Sequence, residues 1–592
     1  MAIDLCYKGA VLNTHFIHFG ELYCHLENQP PKDDFLHHRI NGVYKAISKE
    51  EFLLTVRYLA LSFHKKGWKN KQIAIAVSPS PYWLILDYAL MLSGAVSVPL
   101  FTNISSKNLH YQILDASIQT VFIENKAQEN IIHRAGDDVE TVYLEEHSGY
   151  HSFAEFVQEG KKINKEEPSI FRTLIYQIHP ENVVTIVYTS GTSGLPKGVE
   201  LTHTNLISQI HGTHKNYHFD KEKDIAFSFL PLAHIFERMV MHFYLSRELR
   251  IYFADDVKNV GVLLKEINPT VMTVVPRLLE KVFFKMKLKA MDGNFIKQTL
   301  VRLAFYRATT KDPMKKLSLI DKVLDALVYK KLRLALGTRM GMMISGGAAL
   351  SDILYRFYLN IGVPLYQGYG LTESSPVICS NTPKYNKVGT CGKSFPGVEV
   401  KISAEGELLA RGQNIMKGYH NNKSATDEVI DKNGWLHTGD LASIGEERYI
   451  SITGRKGELF KTSTGEFVSS VAIEQALVSN GWFEFALIVG NNKPYVVALL
   501  FVEHEFLGRF AKEMQSTPLK ALQSEKFHLM TEAYIKKLNQ KLNHWEKIRK
   551  YKVISDVLNI ENGHLTPSMK LAKKQVIEQY SNEIYEMYKD HV

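Results

Sequence analysis

The spacing of apolar and polar positions changes character along this chain. In the first half, short continuous apolar runs alternate with longer stretches of helical period. Lys71–Val77 (KQIAIAV), Thr120–Ile123 and Val183–Tyr188 read as buried strands, and Glu50–Lys65 and Ile104–Asp115 read as helices. That alternation predicts layered α/β architecture. Near residue 390 the runs shorten. Val398–Ile402, Gly406–Arg411 and Arg448–Ile452 read as short strands between glycine-rich turns, a small β-rich subdomain. A compact final unit follows Gly454, with helices expected near Ser470–Leu477 and over Thr531–Lys550. The expected fold class is therefore α/β: a large N-terminal body of several subdomains, residues 1–454, and a small α+β C-terminal domain, residues 455–592, with the boundary near Arg455.

One run is long enough to raise a different possibility. Tyr82–Leu100 (YWLILDYALMLSGAVSVPL) is almost continuously apolar and about the length of a membrane span. It carries Asp87, and Ser93-Gly94 and Pro99 interrupt it. A buried helix over Tyr82–Leu92 followed by a core strand over Ala95–Leu100 accounts for it better, since elements inside an α/β domain face core on all sides.

Composition adds little until charge is mapped. The 592 residues are 45% hydrophobic and 22% charged, ordinary for a globular protein and unlike a disordered or fibrous chain. The four cysteines, Cys6, Cys24, Cys379 and Cys391, form no C-x-x-C pair, so neither a disulfide framework nor a zinc site is signalled. The first residues lack the basic-then-apolar pattern of a secretory signal, and a cytoplasmic location is the expectation. The net charge of +9 is concentrated: Lys281–Met340 holds fifteen Lys/Arg against four acids, a net +11. Two readings of this helical stretch stand side by side, a solvated face and a patch resting on anionic lipid at the inner face of a membrane. It is not a recognised nucleic-acid module with interleaved stacking aromatics, so no nucleic-acid partner is expected.

The strongest local signal is Tyr188-Thr-Ser-Gly-Thr-Ser-Gly-Leu-Pro-Lys-Gly198, directly after the apolar run VVTIV. Glycines let backbone N–H groups approach a polyanion, Ser and Thr hydroxyls add donors, and Lys197 adds a cation. These are the ingredients of a triphosphate cradle. The pattern is not the Walker loop, because Pro196 precedes the lysine and Gly198 follows it.

This loop resembles the signature of the acyl-adenylate-forming superfamily, which includes acyl-CoA synthetases, luciferases and peptide-synthetase adenylation domains. The resemblance extends over roughly Lys45–Lys574 and implies ATP binding by Thr189, Ser190, Gly191, Thr192, Ser193, Gly194 and Lys197. Tyr366-Gln-Gly-Tyr-Gly-Leu-Thr-Glu373 is similar to the family's nucleotide segment, implying contacts from Gln367, Gly368, Tyr369 and Gly370, Thr372 at the α-phosphate and Glu373 on Mg²⁺. Ser345-Gly346-Gly347-Ala348 resembles the strip against which adenine packs. Thr438-Gly-Asp440 and Ile452-Thr-Gly-Arg455 match the ribose contacts, Asp440 and Arg455. Leu565-Thr-Pro-Ser-Met-Lys570 resembles the catalytic-lysine motif of long-chain fatty acid–CoA ligases, and Leu230-Pro-Leu-Ala-His-Ile-Phe-Glu-Arg238 their acyl-site segment, with His234 beside the substrate carboxylate or gating its tunnel.

The implied reaction has two halves: a fatty acid carboxylate displaces pyrophosphate from ATP to give acyl-AMP, and the thiol of CoA then displaces AMP. The family uses two orientations of a mobile C-terminal domain, with Lys570 serving the first half and the loop Thr462-Ser-Thr-Gly-Glu466 lining the thiol's approach in the second. The chain departs from the pattern at the hinge, where Gly457 stands in place of the usual Asp or Lys. The Phe-Asp-x-Ser setting of amino-acid-activating relatives is absent. Two rivals remain: transfer to acyl carrier protein, and a non-catalytic membrane adaptor, against which the intact Lys197, Glu373, Asp440, Arg455 and Lys570 argue.

Overall fold

The structure is a computed structural model that describes residues 16–136, 138–145, 151–189 and 195–589. The body is built on two large, mostly parallel sheets. The first has seven strands in the order Gly418–Tyr419, Lys197–Thr202, Val183–Thr189, Val96–Pro99, Gln72–Ala76, Thr120–Ile123, Glu140–Tyr143. The second has nine, running from Lys393–Ser394 through Leu365–Gly370 and Met342–Ser345 to the edge hairpin Leu36–Ile40/Val43–Ile47. A four-stranded antiparallel sheet, Val398–Ile402, Glu407–Gly412, Leu436–Ile444 and Ile450–Arg455, is the β-rich subdomain expected from sequence. Beyond it come a two-stranded ribbon, Leu459–Lys461 with Phe467–Ser469, and a three-stranded sheet, Phe483–Val489, Val496–Val502 and Ile548–Ile554, that carries its own apolar cores.

The long apolar run resolves into helix Pro81–Ser93 and strand Val96–Pro99. Ser80 caps the helix start by accepting from the Trp83 N–H, and Gly94 at φ +79° ends it in the left-handed conformation that glycine tolerates. The helix touches strands of both large sheets and is buried almost all round, together with helix Ile235–Ser246. Its single charge is neutralised inside this layer. Arg238 Nε and Nη2 donate to the two oxygens of Asp87 at 2.9 and 2.5 Å, and its Nη1 donates to the Thr185 hydroxyl at 2.7 Å. Burial pushes the Asp87 carboxyl up, but Arg238 and His242 outweigh it and hold the group below its usual range. No described helix is long and apolar enough to cross a membrane.

The basic stretch is helical as expected, over Pro276–Met291, Phe295–Thr310, Leu319–Leu324 and Lys330–Arg333. One expectation fails. The helix expected over Thr531–Lys550 runs instead from Glu525 to Asn539, and Ile548–Ile554 is a strand. The Asn539 side chain bonds both the N–H and the carbonyl of Ile548 at 2.9 Å, turning the chain so that it pairs in parallel with Val496–Val502. Sheet pairing overrides the helical propensity of this charged segment.

Candidate active site

The strands converge on one cavity of about 450 Å³, walled by the ends of both large sheets, by the β-rich subdomain and by the loop Thr566–Lys570 of the C-terminal unit. Thr189 and Lys197 face each other across the hairpin Val183–Thr189/Lys197–Thr202, so the register itself brings a hydroxyl and a cation to the cavity edge. Ser190, Gly191, Thr192, Ser193 and Gly194 lie outside the described residues. The Lys197 ammonium stands 4.8 Å from the centre of the Tyr419 ring, and the Tyr419 hydroxyl donates to Glu373 at 2.8 Å. Tyr419 was not singled out from sequence. It belongs to a two-residue strand, Gly418–Tyr419, that pairs with Glu200 and Val199, and a lone tyrosine in a polar loop gives little warning of that pairing.

Strand Leu365–Gly370 and the turn after it supply the next wall. Gly368, Tyr369, Gly370, Thr372 and Glu373 all line the cavity, whereas Gln367 is buried behind it. Glycine is required at 370, where a Cβ would lie 1.7 Å from the Pro376 carbonyl oxygen. Gly346 and Gly347 also line the cavity. A Cβ at Gly346 would press within 2.9 Å of the Phe236 ring, and Gly347 adopts φ +78°. Ala348 is exposed and outside the lining.

Asp440 sits one layer deeper. It is nearly buried, the Tyr369 hydroxyl donates to its Oδ2, and Arg455 Nε forms an ion pair with its Oδ1 at 3.1 Å, across the strand register Asp440↔Arg455. Burial raises the carboxyl, with Arg455, Tyr369 and Lys570 opposing. Arg455 itself lines the cavity, next to Lys456 and Gly457.

Lys570 enters from the C-terminal unit on a tight loop. Thr566 N–H donates to the Lys570 carbonyl at 2.8 Å, the Lys570 N–H donates to the Thr566 hydroxyl at 3.1 Å, and Met569 takes φ +61°. Asn103 of the body donates to the Pro567 carbonyl at 3.4 Å. The ammonium is held below the usual lysine range, first by lost hydration and then by Arg455, with Glu458 and Asp440 pulling the other way. His234 caps helix Ile235–Ser246. Its Nδ1 accepts from the Phe236 N–H at 3.2 Å, which leaves the proton of the neutral ring on Nε2 as a donor. Burial and then the Lys570 charge push its pKa down to about 4, so the ring is neutral at ordinary pH.

An apolar arm leads inward from these groups, lined by Tyr217, Phe236, Met239, Val240, Ile344 and Phe395. The cavity thus joins cations and hydroxyls at one end to a greasy pocket at the other, a shape suited to one molecule bearing phosphates and another bearing a carboxylate on an apolar tail. Among the described residues no cluster of three or more His, Cys, Asp or Glu could cage a metal ion. A single cavity-lining carboxylate such as Glu373 still fits Mg²⁺, which takes one or two protein carboxylates and completes its shell with phosphates and water.

Known proteins give this geometry a family. The profile of the AMP-binding enzymes matches residues 25–420, and that of the AMP-binding enzyme C-terminal domain matches residues 458–592. The long-chain-fatty-acid–CoA ligase FadD15 of Mycobacterium tuberculosis is 30% identical over 566 residues, covering 93% of each chain. Human long-chain-fatty-acid–CoA ligase 6 is 26% identical, over 92% of this chain and 83% of its own. Among solved structures, the adenylation domain of carboxylic acid reductase from Segniliparus rugosus, in complex with AMP and a co-purified carboxylic acid, superposes with a TM-score of 0.72 at 20% identity, over 99% of this chain and 96% of that one. The o-succinylbenzoate CoA synthetase of Bacillus subtilis, in complex with AMP, gives 0.66 at 18% identity, over 94% and 97%. On the profile matches and the FadD15 identity together, the chain belongs to the AMP-binding enzyme family.

Proposed function

We propose that this protein activates a long-chain fatty acid with ATP and transfers it to CoA, giving acyl-CoA, AMP and pyrophosphate. The observation that carries the reading is the single cavity in which Lys197, Thr372, Glu373, Arg455 and Lys570 surround the mouth of an apolar arm. The relatives named as long-chain-fatty-acid–CoA ligases point to the same substrate class.

In the first half-reaction a carboxylate oxygen attacks the α-phosphorus, the bond to the bridging oxygen breaks, and pyrophosphate leaves. No protein nucleophile is required. Catalysis is positioning plus neutralisation of the crowded negative charge. Lys197 and the Thr189 hydroxyl serve the pyrophosphate end, Thr372 the α-phosphate, and Asp440 with Arg455 the ribose. Lys570 reaches the point between carboxylate and phosphate, and His234 donates from Nε2 toward the acid. Glu373 would hold Mg²⁺, which supplies charge neutralisation at the phosphates. In the second half-reaction the CoA sulfur attacks the acyl carbon and AMP leaves with the electron pair of the broken C–O bond.

The body, with Arg455 on its last strand, keeps the nucleotide while the unit beyond Gly457 swings about that residue between the two steps, bringing Thr462–Glu466 toward the thiol. Gly457 has no neighbour that a Cβ would meet within 4 Å, which leaves the hinge free to turn. The reading includes a cytoplasmic enzyme working against the inner face of a membrane, where its apolar substrate is dissolved, with residues 281–340 as the contact. The test is pyrophosphate release over a series of fatty acids, with CoA, with acyl carrier protein and with neither. Sustained release with CoA and a long-chain acid supports the proposal. Release that is sustained only with acyl carrier protein reassigns the acceptor, and no acid-dependent release overturns it.

A further inference from the structure

We infer that the outer face of helices Phe295–Thr310 and Leu319–Leu324, with the turn between them, is a docking surface that inserts apolar side chains into an anionic phospholipid bilayer. The inference rests on the membrane location proposed above and deepens it, since charge alone did not distinguish a solvated face from a lipid-binding one. The structure adds that the face is greasy. Of the thirty-one large hydrophobic side chains exposed among the described residues, twelve fall between Leu288 and Leu334, more than four times their share by length.

The placement on each helix is what matters. Helix Phe295–Thr310 turns Val301, Ala304, Phe305 and Ala308 to the core. Its opposite side would carry polar residues if water were the only neighbour. Instead Phe295, Ile296, Leu303 and Tyr306 are exposed there among Thr299, Arg302 and Thr310, with Phe295 and Ile296 each 77% exposed. Large apolar side chains gathered on one exposed face mark an interaction site.

The second helix returns alongside the first. Arg307 and Lys311 both bond Asp321 at 2.8 Å, and the Tyr329 hydroxyl donates to the Ala304 carbonyl at 2.9 Å. Both helices bury their inner sides in the same core, so their outer sides look toward the same solvent. Leu319 and Ile320 are exposed on that second outer side. In the turn, Met314-Lys315-Lys316-Leu317 sets two ammonium groups between two exposed apolar side chains.

The charge pattern selects the partner. Asp321 is drawn inward between Arg307 and Lys311, and Asp325 is paired with Arg333 at 2.5 Å, so these two acids take up cations on the inner side and leave the stretch's net +11 unchanged. A second copy of this chain would bring the +11 stretch against its like. A layer of phosphate headgroups over hydrocarbon complements both features, apolar tips entering the acyl boundary while lysine stems extend to the phosphates. Helix Pro276–Met291 links this face to the cavity, because it follows strand Val271–Val274, whose Val274 carbonyl accepts from the Gly346 N–H at 3.2 Å.

The test is co-sedimentation of the full chain, without ATP or CoA, with vesicles of phosphatidylcholine alone and of phosphatidylcholine mixed with phosphatidylglycerol. Binding is expected to the mixed vesicles and to weaken with salt. Lys315→Glu with Lys316→Glu is expected to lower it about tenfold or more, and Phe295→Ser with Ile296→Ser by about tenfold. Circular dichroism and thermal midpoints verify that these surface variants fold. Equal binding to both vesicle types, or variants that bind like wild type, overturns the inference. So does an apolar variant that changes the association state in sedimentation velocity while vesicle binding stays intact. Because nucleotide is absent, loss of the ligase reading would leave this result standing, and the reverse also holds.

Discussion

Arg277 offers the sharpest test of how the two units cooperate. It lies on helix Pro276–Met291 of the body and reaches the C-terminal unit, where its guanidinium meets Glu484 at 3.0 Å and stands 5.1 Å from the Phe485 ring centre. Beside it the Phe284 ring packs so closely on Gly481 that a Cβ there would lie 2.7 Å away. Both charged partners are about one-third exposed, so the pair contributes ~0.2–1 kcal/mol, and the guanidinium over the ring adds ~0.5–1 kcal/mol. Together these give about 1.5 kcal/mol, or roughly tenfold in the ratio of docked to undocked unit. Docking delivers Lys570 to the cavity, so Arg277→Glu should slow acid-dependent pyrophosphate release about tenfold. Formation of acyl-CoA from supplied acyl-AMP, assigned above to the other orientation, should be unchanged or faster. Glu484→Arg should do the same, and the two reversals combined should recover much of the loss. The reasoning is refuted if both half-reactions fall equally in the single variants and the double reversal recovers neither.

The other predictions concern the cavity itself. Lys570→Ala should lower pyrophosphate release by ~10²–10³ while sparing thioester formation from supplied acyl-AMP, as half-reaction kinetics would reveal. Gly457→Pro should slow thioester formation more than acyl-AMP formation, and equal slowing of both would remove its assignment as the hinge. Gly212→Val would push on Phe395, whose ring already lies 2.3 Å from a Cβ position at 212 and lines the apolar arm. Turnover of palmitate should therefore fall well below that of octanoate in a chain-length series. Glu237 is fully buried with only the Ser228 and Thr273 hydroxyls as donors, and burial pushes its carboxyl from 4.5 up to about 7. The folded state thus binds a proton across that window that the unfolded state does not, and stability falls as pH rises through it. Glu237→Gln should stabilise the protein by up to about 3 kcal/mol above pH 7, a gain that shrinks toward pH 4.5, measured by denaturant midpoints at several pH values.

How much of this was legible depends on what each residue does. Lys197, Glu373, Arg455 and Lys570 stand in motifs whose residue types suit a phosphate-bearing ligand, and the fold brings all four to one cavity. The strands near Thr120 and Val183 and the β-rich subdomain were legible from period alone. What escaped depends on distant partners. Tyr419 joins Lys197 to Glu373 only because a two-residue strand adds to a sheet edge. Ile548–Lys550, read as the end of a helix, instead opens the strand Ile548–Ile554 because Val496–Val502 offers it an open edge. Asp87 reads as an interruption until Arg238, far along the chain, supplies its counter-charge.

The loop Thr566–Lys570 is both part of the cavity wall and the carrier of one of its cations. In the swing proposed above, admitting bulk water and withdrawing that cation are therefore one event. When the wall is in place, Lys570 can help an acid reach the α-phosphorus but little water competes with it. When the wall lifts, water enters a site that has lost the charge that would help it attack. On the swing proposed above, futile hydrolysis of ATP is suppressed by the way the parts are joined, and a variant that frees this loop from Asn103 should lose acid-dependent pyrophosphate release without gaining release in the absence of acid.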